Sequence, residues 1–320
     1  MHERAGWAWL DGRLVAADEP QLTLRDRGFQ LGDGVFETLR ARRGFVVELA
    51  EHLARLRESA AVLDIALPYG DAALATAIER LLGAEGLADA SLRITVSRGP
   101  LTGTAVLPAD RSRDPTAAIQ AWPFAPPADR LLREGVAAIT SVLRRDPASP
   151  LTAVKTTSRA DHVFARLEAR RAGADDALHL TLDGRLAEST TANLFLASGG
   201  ELLTPARGAG ILPGTTRTWL LDQGELLDRR VREADLRPVD LLSADEAFLS
   251  ASVSGIVPLV SLDGHPIGDG RPGALTLALR ALRERWIDEA ASQARGSAPE
   301  AAAGEGLDGE PGDGAGEDPV

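Results

Sequence analysis

Residues 151–195, LTAVKTTSRADHVFARLEARRAGADDALHLTLDGRLAESTTANLF, constrain the fold more than any other part of this 320-residue chain. A lone lysine, Lys155, closes a run of small and apolar residues. The spacing that follows predicts a helix over 158–172, stopped by Gly173. HLTL and RLAES then flank Asp183-Gly184, a dipeptide that favours a tight hairpin turn, so two paired strands are expected. The second strand ends on Glu188. A lysine amine can form a Schiff base, and a buried carboxylate can hold a proton on a heteroaromatic nitrogen. Helix, hairpin and two complementary reactive groups therefore arrive in one stretch.

The chain before this stretch alternates strands with helices. WAWL and RLVA flank Asp11-Gly12, a further hairpin signal. Gly28, Gly32 and Gly34 crowd a loop ahead of the strand-like VFETLRA, where glycine permits close approach of another chain segment or of a ligand. Leucines and alanines at three- and four-residue spacing predict helices over 48–63 and 71–82. Arg55 falls at the edge of the first helix's apolar stripe. It can snorkel to solvent or serve as a phosphate clamp, for which its planar fork is suited. SLRITVSRG, AAIQAWPF and VAAITSVLRR read as strands. Arg98, at the end of the first, can take a substrate carboxylate or sit as a solvated strand-end charge. FAPPADR, near residue 125, is the expected boundary between the two folded parts.

After the hairpin, ANLFLA and ELLTP form another pair of strands around SGG. GAGILPGTTRTWLLDQGE then feeds a helix from about Thr215. Its N-terminus, with hydroxyls at Thr215 and Thr216, offers free N–H groups to a phosphate, or else the threonines simply cap the helix. EAFLS, the small-residue loop ASVSG, the hairpin IVPLVSL-DG-HPI and a helix over 272–290 complete the folded chain.

Composition narrows the function. A net charge of −12 argues against a nucleic-acid partner. The absence of cysteine excludes disulfides and thiolate chemistry and favours the cytoplasm. The five histidines do not pair at ligand spacing, so no metal is expected. No run has the length and apolarity of a membrane span or a signal peptide. The last stretch, about 294–320, is rich in Gly, Ala, Pro, Glu and Asp and is expected to be a disordered acidic tail.

In order along the chain, DRGFQLGDGVFET, EHLARL, VKTTS, GADDALHLTLDGRLAESTTANLF, GILPGTTR and SASVSGIVPL resemble the class IV, or fold type IV, pyridoxal phosphate enzymes. That family comprises branched-chain aminotransferases, D-amino acid aminotransferases and 4-amino-4-deoxychorismate lyases. The resemblance implies an α/β fold of two domains, a small N-terminal one over 1–125 and a larger barrel-like one over 126–293, with the site between them. It implies pyridoxal 5'-phosphate as cofactor, an amino-acid-like substrate and a homodimer. Lys155 matches the lysine that holds the cofactor and shuttles the proton. Glu188 matches the carboxylate facing the ring nitrogen, and Arg55, Thr215, Thr216 and Ser252 match phosphate contacts.

The resemblance also bears on the reaction. DRGFQLGDGVFET followed by ITVSRG looks more like the lyase and D-amino acid groups. The D-amino acid group pairs an arginine with a histidine after that strand, whereas GPLTGTAV follows Arg98 here. The branched-chain group has a tyrosine five residues past the lysine and a late Gly-Thr pair, where this chain has Ala160 and Ala251-Ser252. The lyases have asparagine where Ser158 stands. The lyase reaction, aminodeoxychorismate to 4-aminobenzoate and pyruvate, is the expected activity. D-amino acid or branched-chain transamination is the alternative, and a cofactor-binding or structural protein without turnover the remote one.

Overall fold

The structure is a computed structural model that describes residues 6–19, 21–101, 106 and 114–296. Its first part is an antiparallel sheet backed by helices. β1 (Trp7–Leu10) and β2 (Arg13–Ala16) form the first hairpin, and α1 (Arg27–Leu31) precedes β3 (Gly34–Arg42) and β4 (Phe45–Val46). Then come α2 (Leu49–Val62), α3 (Asp71–Glu85), β5 (Ala90–Ser97) and β6 (Thr116–Pro123). The six strands run in the order β2-β1-β6-β5-β3-β4. Leu53, Leu56, Leu74, Ile78 and Leu81 from the two long helices pack on Leu39, Leu92, Ile94 and Ile119 of the sheet. Burying each such side chain stabilises the fold by about 1.5–3 kcal/mol.

The glycine-rich segment read as a loop contains α1. Asp26 caps it by accepting the Phe29 N–H at 3.2 Å, and Gly32 ends it in the left-handed region at φ 66°. A Cβ on Gly32 would meet Ser158 Cα at 3.0 Å, so this glycine admits the chain just beyond Lys155.

The second part consists of α4 (Asp129–Arg133), β7 (Val136–Arg145), α5 (Ala160–Arg171), β8 (Asp176–Thr181), β9 (Leu186–Ser189), β10 (Asn193–Ser198) and β11 (Glu201–Pro205). It continues through α6 (Thr215–Asp222), β12 (Glu225–Leu226), β13 (Arg229–Ala234), α7 (Pro238–Leu242), β14 (Glu246–Ala251), β15 (Gly255–Leu262), β16 (His265–Pro266) and α8 (Ala274–Gly296). Strands pair in the order β10-β14-β15-β7-β8-β9, and Asn193 opposite Glu188 joins β9 back to β10. That pairing closes a barrel. Leu178, Leu186, Leu194, Leu249, Val257 and Leu259 belong to one buried cluster. β8, β9 and most of β10 are buried on both faces, which removes the polar alternation of a half-exposed strand. Phe195 and Phe248 stack with centroids 5.0 Å apart within a second cluster that includes Leu220 of α6 and Leu279 of α8.

The two parts are tied by α8 and by the lysine loop. Arg40 makes a bidentate pair with Glu284 at 2.8 Å to each oxygen, and Arg42 bonds Asp288 at 2.7 Å. The helix α8 runs to Gly296, three residues into the stretch expected to be tail; 297–320 lie outside the described residues. Among the described residues no helix is long and apolar enough to cross a membrane, and no group of acidic and histidine side chains could hold a metal.

Candidate active site

Lys155 lies on the loop between β7 and α5, and backbone bonds stitch that loop to the start of β3. Phe36 N–H donates to the Lys155 carbonyl at 2.9 Å, and Thr157 N–H donates to the Gly34 carbonyl at 2.9 Å. The amine therefore faces a cavity of about 440 Å³ between the sheet and the barrel. Nζ sits 4.8 Å from the centroid of Phe36. Burial pushes the amine down to about 8 from 10.5, against the attraction of Glu37 and with the repulsion of Arg55 and Arg159. A neutral amine is then accessible near neutrality, as nucleophile or proton acceptor.

Glu188 lines the same cavity, at the barrel's closing pair. Arg145 donates to its Oε1, while Asn193 Nδ2 and the Leu212 N–H donate to its Oε2 at 3.1 and 3.0 Å. Three donors fix the orientation of the carboxylate. Such a group can hold a proton on a ring nitrogen.

The third side is an anion cradle. Gly214 caps α6 without a side chain, and Thr215 and Thr216 open its first turn, where backbone N–H groups lack intrahelical acceptors. A Cβ on Gly214 would collide with Asn193 Oδ1, so only glycine lets the helix start this close to the Glu188 strand pair. Arg55 enters from α2 and Ser252 from the loop after β14; Thr215 Oγ1 and Ser252 Oγ are 3.0 Å apart. Arg55 does not snorkel. Its Nε and Nη2 grip both oxygens of Glu37 at 2.8 and 2.7 Å, and Nη1 donates to the Pro213 carbonyl at 2.8 Å. The guanidinium is thereby fixed with N–H groups to spare.

Lys155, Glu188, Arg55, Thr215, Thr216 and Ser252 thus share one cavity, although they come from five separate segments of chain. Arg98 does not reach it. It is buried just past the C-terminal end of β5, where it donates to both Asp33 oxygens at 2.8 and 3.1 Å and to the Leu63 and Asp64 carbonyls. The reading of Arg98 as a substrate ligand is corrected: its donors already serve a structural ion pair.

Two other arginines do line the cavity. Arg93 stacks on the Phe36 ring at 3.9 Å, and Arg159 donates to the Thr190 carbonyl at 3.0 Å. Neither forms an ion pair among the described residues, and burial lowers both below the ordinary arginine range. The sequence carried a signal for Arg159, four residues past Lys155, but none that separated Arg93 from any other strand arginine.

Residues 34–262 match the family described as Amino-transferase class IV. The chain belongs to the class IV aminotransferase family. A Methanocaldococcus jannaschii protein provisionally named a branched-chain-amino-acid aminotransferase is 33% identical over 283 residues, covering 87% of this chain and 96% of the relative. A D-alanine aminotransferase of Bacillus licheniformis is 32% identical, covering 88% and 97%. Among solved structures, the T.th. branched-chain amino acid aminotransferase complexed with N-(5'-phosphopyridoxyl)-L-glutamate superposes with a TM-score of 0.82 at 27% identity, covering 89% and 95%. A Legionella pneumophila protein provisionally named a 4-amino-4-deoxychorismate lyase gives 0.76 at 28% identity, covering 84% and 96%. The sheet-plus-barrel architecture is that of the class IV aminotransferases.

Proposed function

We propose that this class IV protein is a pyridoxal phosphate-dependent amino-acid aminotransferase of the branched-chain or D-amino acid type. The observation that carries the reading is the cavity itself: a buried lysine amine, a carboxylate fixed by three donors, an anion cradle, and two arginines without carboxylate partners. The similarity to relatives that are mostly transaminases supports it over the lyase expected from sequence. The Legionella structure keeps the lyase as the second reading.

The residues fit pyridoxal phosphate. Arg55, the α6 N-terminus, Thr216 and Ser252 would hold the phosphate, Glu188 would hold the ring nitrogen protonated, and Lys155 would hold the aldehyde carbon. When bound, the cofactor supplies an electron sink for charge developing at the substrate's α-carbon. Lys155 Nζ would take the proton from that carbon and pass it to the cofactor's former aldehyde carbon, leaving the amine there and releasing a keto acid, a transfer for which a general base with its pKa near the working pH is suited. Arg93 and Arg159 receive carboxylate oxygen, which fixes the α-carbon over Nζ. Phe36 and the turn over 189–192 exclude water from the reacting bond. The expected homodimer is part of the proposal, and sedimentation equilibrium at monomer mass would remove it.

The test is spectroscopic and then chemical. Purified protein should absorb in the near-visible, and borohydride should fix the chromophore to Lys155. Half-reactions with L-leucine, L-glutamate and D-alanine should bleach it. Pyruvate released from aminodeoxychorismate, with no bleaching by any amino acid, would replace the transaminase with the lyase. A protein that stays colourless with added pyridoxal phosphate would refute both.

A further inference from the structure

Behind the anion cradle lies a polar chain that neither the proton transfer nor the substrate contacts use. Glu37 of β3 and His52 of α2 are fully buried, and His52 Nδ1 is 2.7 Å from Glu37 Oε2. A carboxylate held well below its ordinary range can only accept, so Nδ1 carries a hydrogen. The other nitrogen, Nε2, is 3.4 Å from Thr215 Oγ1, which is 3.0 Å from Ser252 Oγ. Four side chains from four segments thus form one line, from the core of the N-terminal sheet to the cradle.

The direction of the hydrogen bonds along this line depends on His52. With a neutral ring, Nε2 is a bare acceptor, so the Thr215 hydroxyl points its hydrogen inward at His52. Ser252 then donates to Thr215, and neither hydroxyl hydrogen faces the cavity. With a proton on Nε2 the line reverses. His52 donates to Thr215, and both hydroxyls can turn their hydrogens outward toward an anion. The charged groups facing His52 are Glu37 from β3, which favours the added proton, and Arg55 from its own helix, with Nη2 at 3.3 Å, which opposes it. Among the described residues, α6 meets it through the neutral Thr215, which in turn meets the neutral Ser252 of the loop after β14. An arriving phosphate supplies the missing negative charge.

We infer that His52 is a positioning residue for the cofactor phosphate, taking up a proton on Nε2 when the phosphate binds and thereby turning the Thr215 and Ser252 hydroxyls to donate. This rests on the pyridoxal phosphate reading of the cavity. His52 touches neither cofactor nor substrate, and its effect is confined to the phosphate end.

Pyridoxal, which lacks the phosphate, separates that end from the lysine. Full-length protein stripped of cofactor would be titrated with pyridoxal phosphate and with pyridoxal by near-visible absorbance. His52→Asn keeps a donor toward Glu37 but cannot reach Thr215. It should weaken pyridoxal phosphate binding about tenfold or more while leaving pyridoxal binding within about twofold, a loss of the size expected for a charge-assisted bond. Thr215→Val should do the same, and the double variant should be no worse than Thr215→Val alone. Independently of any variant, nitrogen NMR of the wild-type imidazole should move Nε2 of His52 from its unprotonated to its protonated position when pyridoxal phosphate is added. Equal losses for both ligands, no loss for either, or an unmoved Nε2 resonance overturns the role. Wild-type protein that binds neither ligand overturns the cofactor reading instead, and this inference with it.

Discussion

Asn193 and Glu188 are directly opposite each other across β9 and β10, and that single register pair both closes the barrel and orients the carboxylate. The Asn193 amide spans from Glu188 Oε2, at 3.1 Å, to the Leu212 carbonyl, at 2.9 Å. The segment that delivers the α6 N-terminus is therefore hung from the same side chain that fixes the ring-nitrogen partner. Ring and phosphate ends of the cavity share one support.

Asn193→Ala should be felt at both ends. It leaves the half-buried Leu212 carbonyl without this donor and the buried Glu188 with one fewer. Unmet buried hydrogen-bonding groups of this kind cost about 1–3 kcal/mol. Urea unfolding should show that loss, and pyridoxal phosphate titration should show weaker binding. A variant with wild-type stability and affinity would mean the Asn193 bridge contributes nothing.

The Lys155 amine gives a pH prediction. Its folded-state value, about 8, is below the ordinary 10.5, so the unfolded chain binds more protons between those values. Stability of the cofactor-free protein should therefore rise with pH across that window. Schiff-base formation on adding pyridoxal phosphate should accelerate with pH up to about 8 and then level, because only the neutral amine attacks. Denaturant midpoints at two pH values, for wild type and Lys155→Met, isolate the group. A rise that persists undiminished in Lys155→Met would assign it elsewhere.

Arg98 and Arg159 should separate stability from binding. Arg98→Met breaks a buried pair with Asp33, a change that typically costs about 3–5 kcal/mol, yet it should leave KM for the amino acid unchanged. Arg159→Met should do the reverse. Losing a charge-assisted bond to a carboxylate raises KM about 10- to 100-fold, with a smaller effect on unfolding. Steady-state kinetics beside urea titration reads both. A KM defect in Arg98→Met would return that residue to the substrate.

What the sequence made legible follows the range of each interaction. The hairpins at Asp11-Gly12 and Asp263-Gly264 were readable because their turns are local; both residues of each take positive φ, at 43° and 93° and at 50° and 78°. Lys155 and Glu188 were readable because the motifs around them are contiguous. Arg98 was misjudged because its partner Asp33 is 65 positions away, on the far side of two helices in sequence. Arg145, 43 positions from Glu188, was invisible for the same reason. Glu37 passed as an ordinary strand residue, since its role needs β3 and α2 packed face to face. Short-range turn chemistry is written in neighbouring residues, whereas a buried ion pair is written only in the fold.

Glu37 provides the acid-side counterpart. Burial alone would raise its carboxyl, but hydrogen bonds from Arg55 and His52 outweigh that and hold it at about 2, against an ordinary 4.5. Its folded-state value is depressed, so its stabilising contribution is fully present above pH 4.5 and is lost as pH falls from there toward 2. Glu37→Gln leaves the Arg55 charge and the His52 Nδ1 hydrogen without a carboxylate, and breaking a buried pair in this way typically costs about 3–5 kcal/mol. The variant should be destabilised at neutral pH and should lose much of the wild type's acid sensitivity, so the two stability curves should converge as pH falls through that window. Parallel curves from pH 7 to pH 3 would show that Glu37 is not held ionised by these partners. The same variant should bind pyridoxal phosphate more weakly, because Arg55 is aimed at the cradle by Glu37 and by the Pro213 carbonyl.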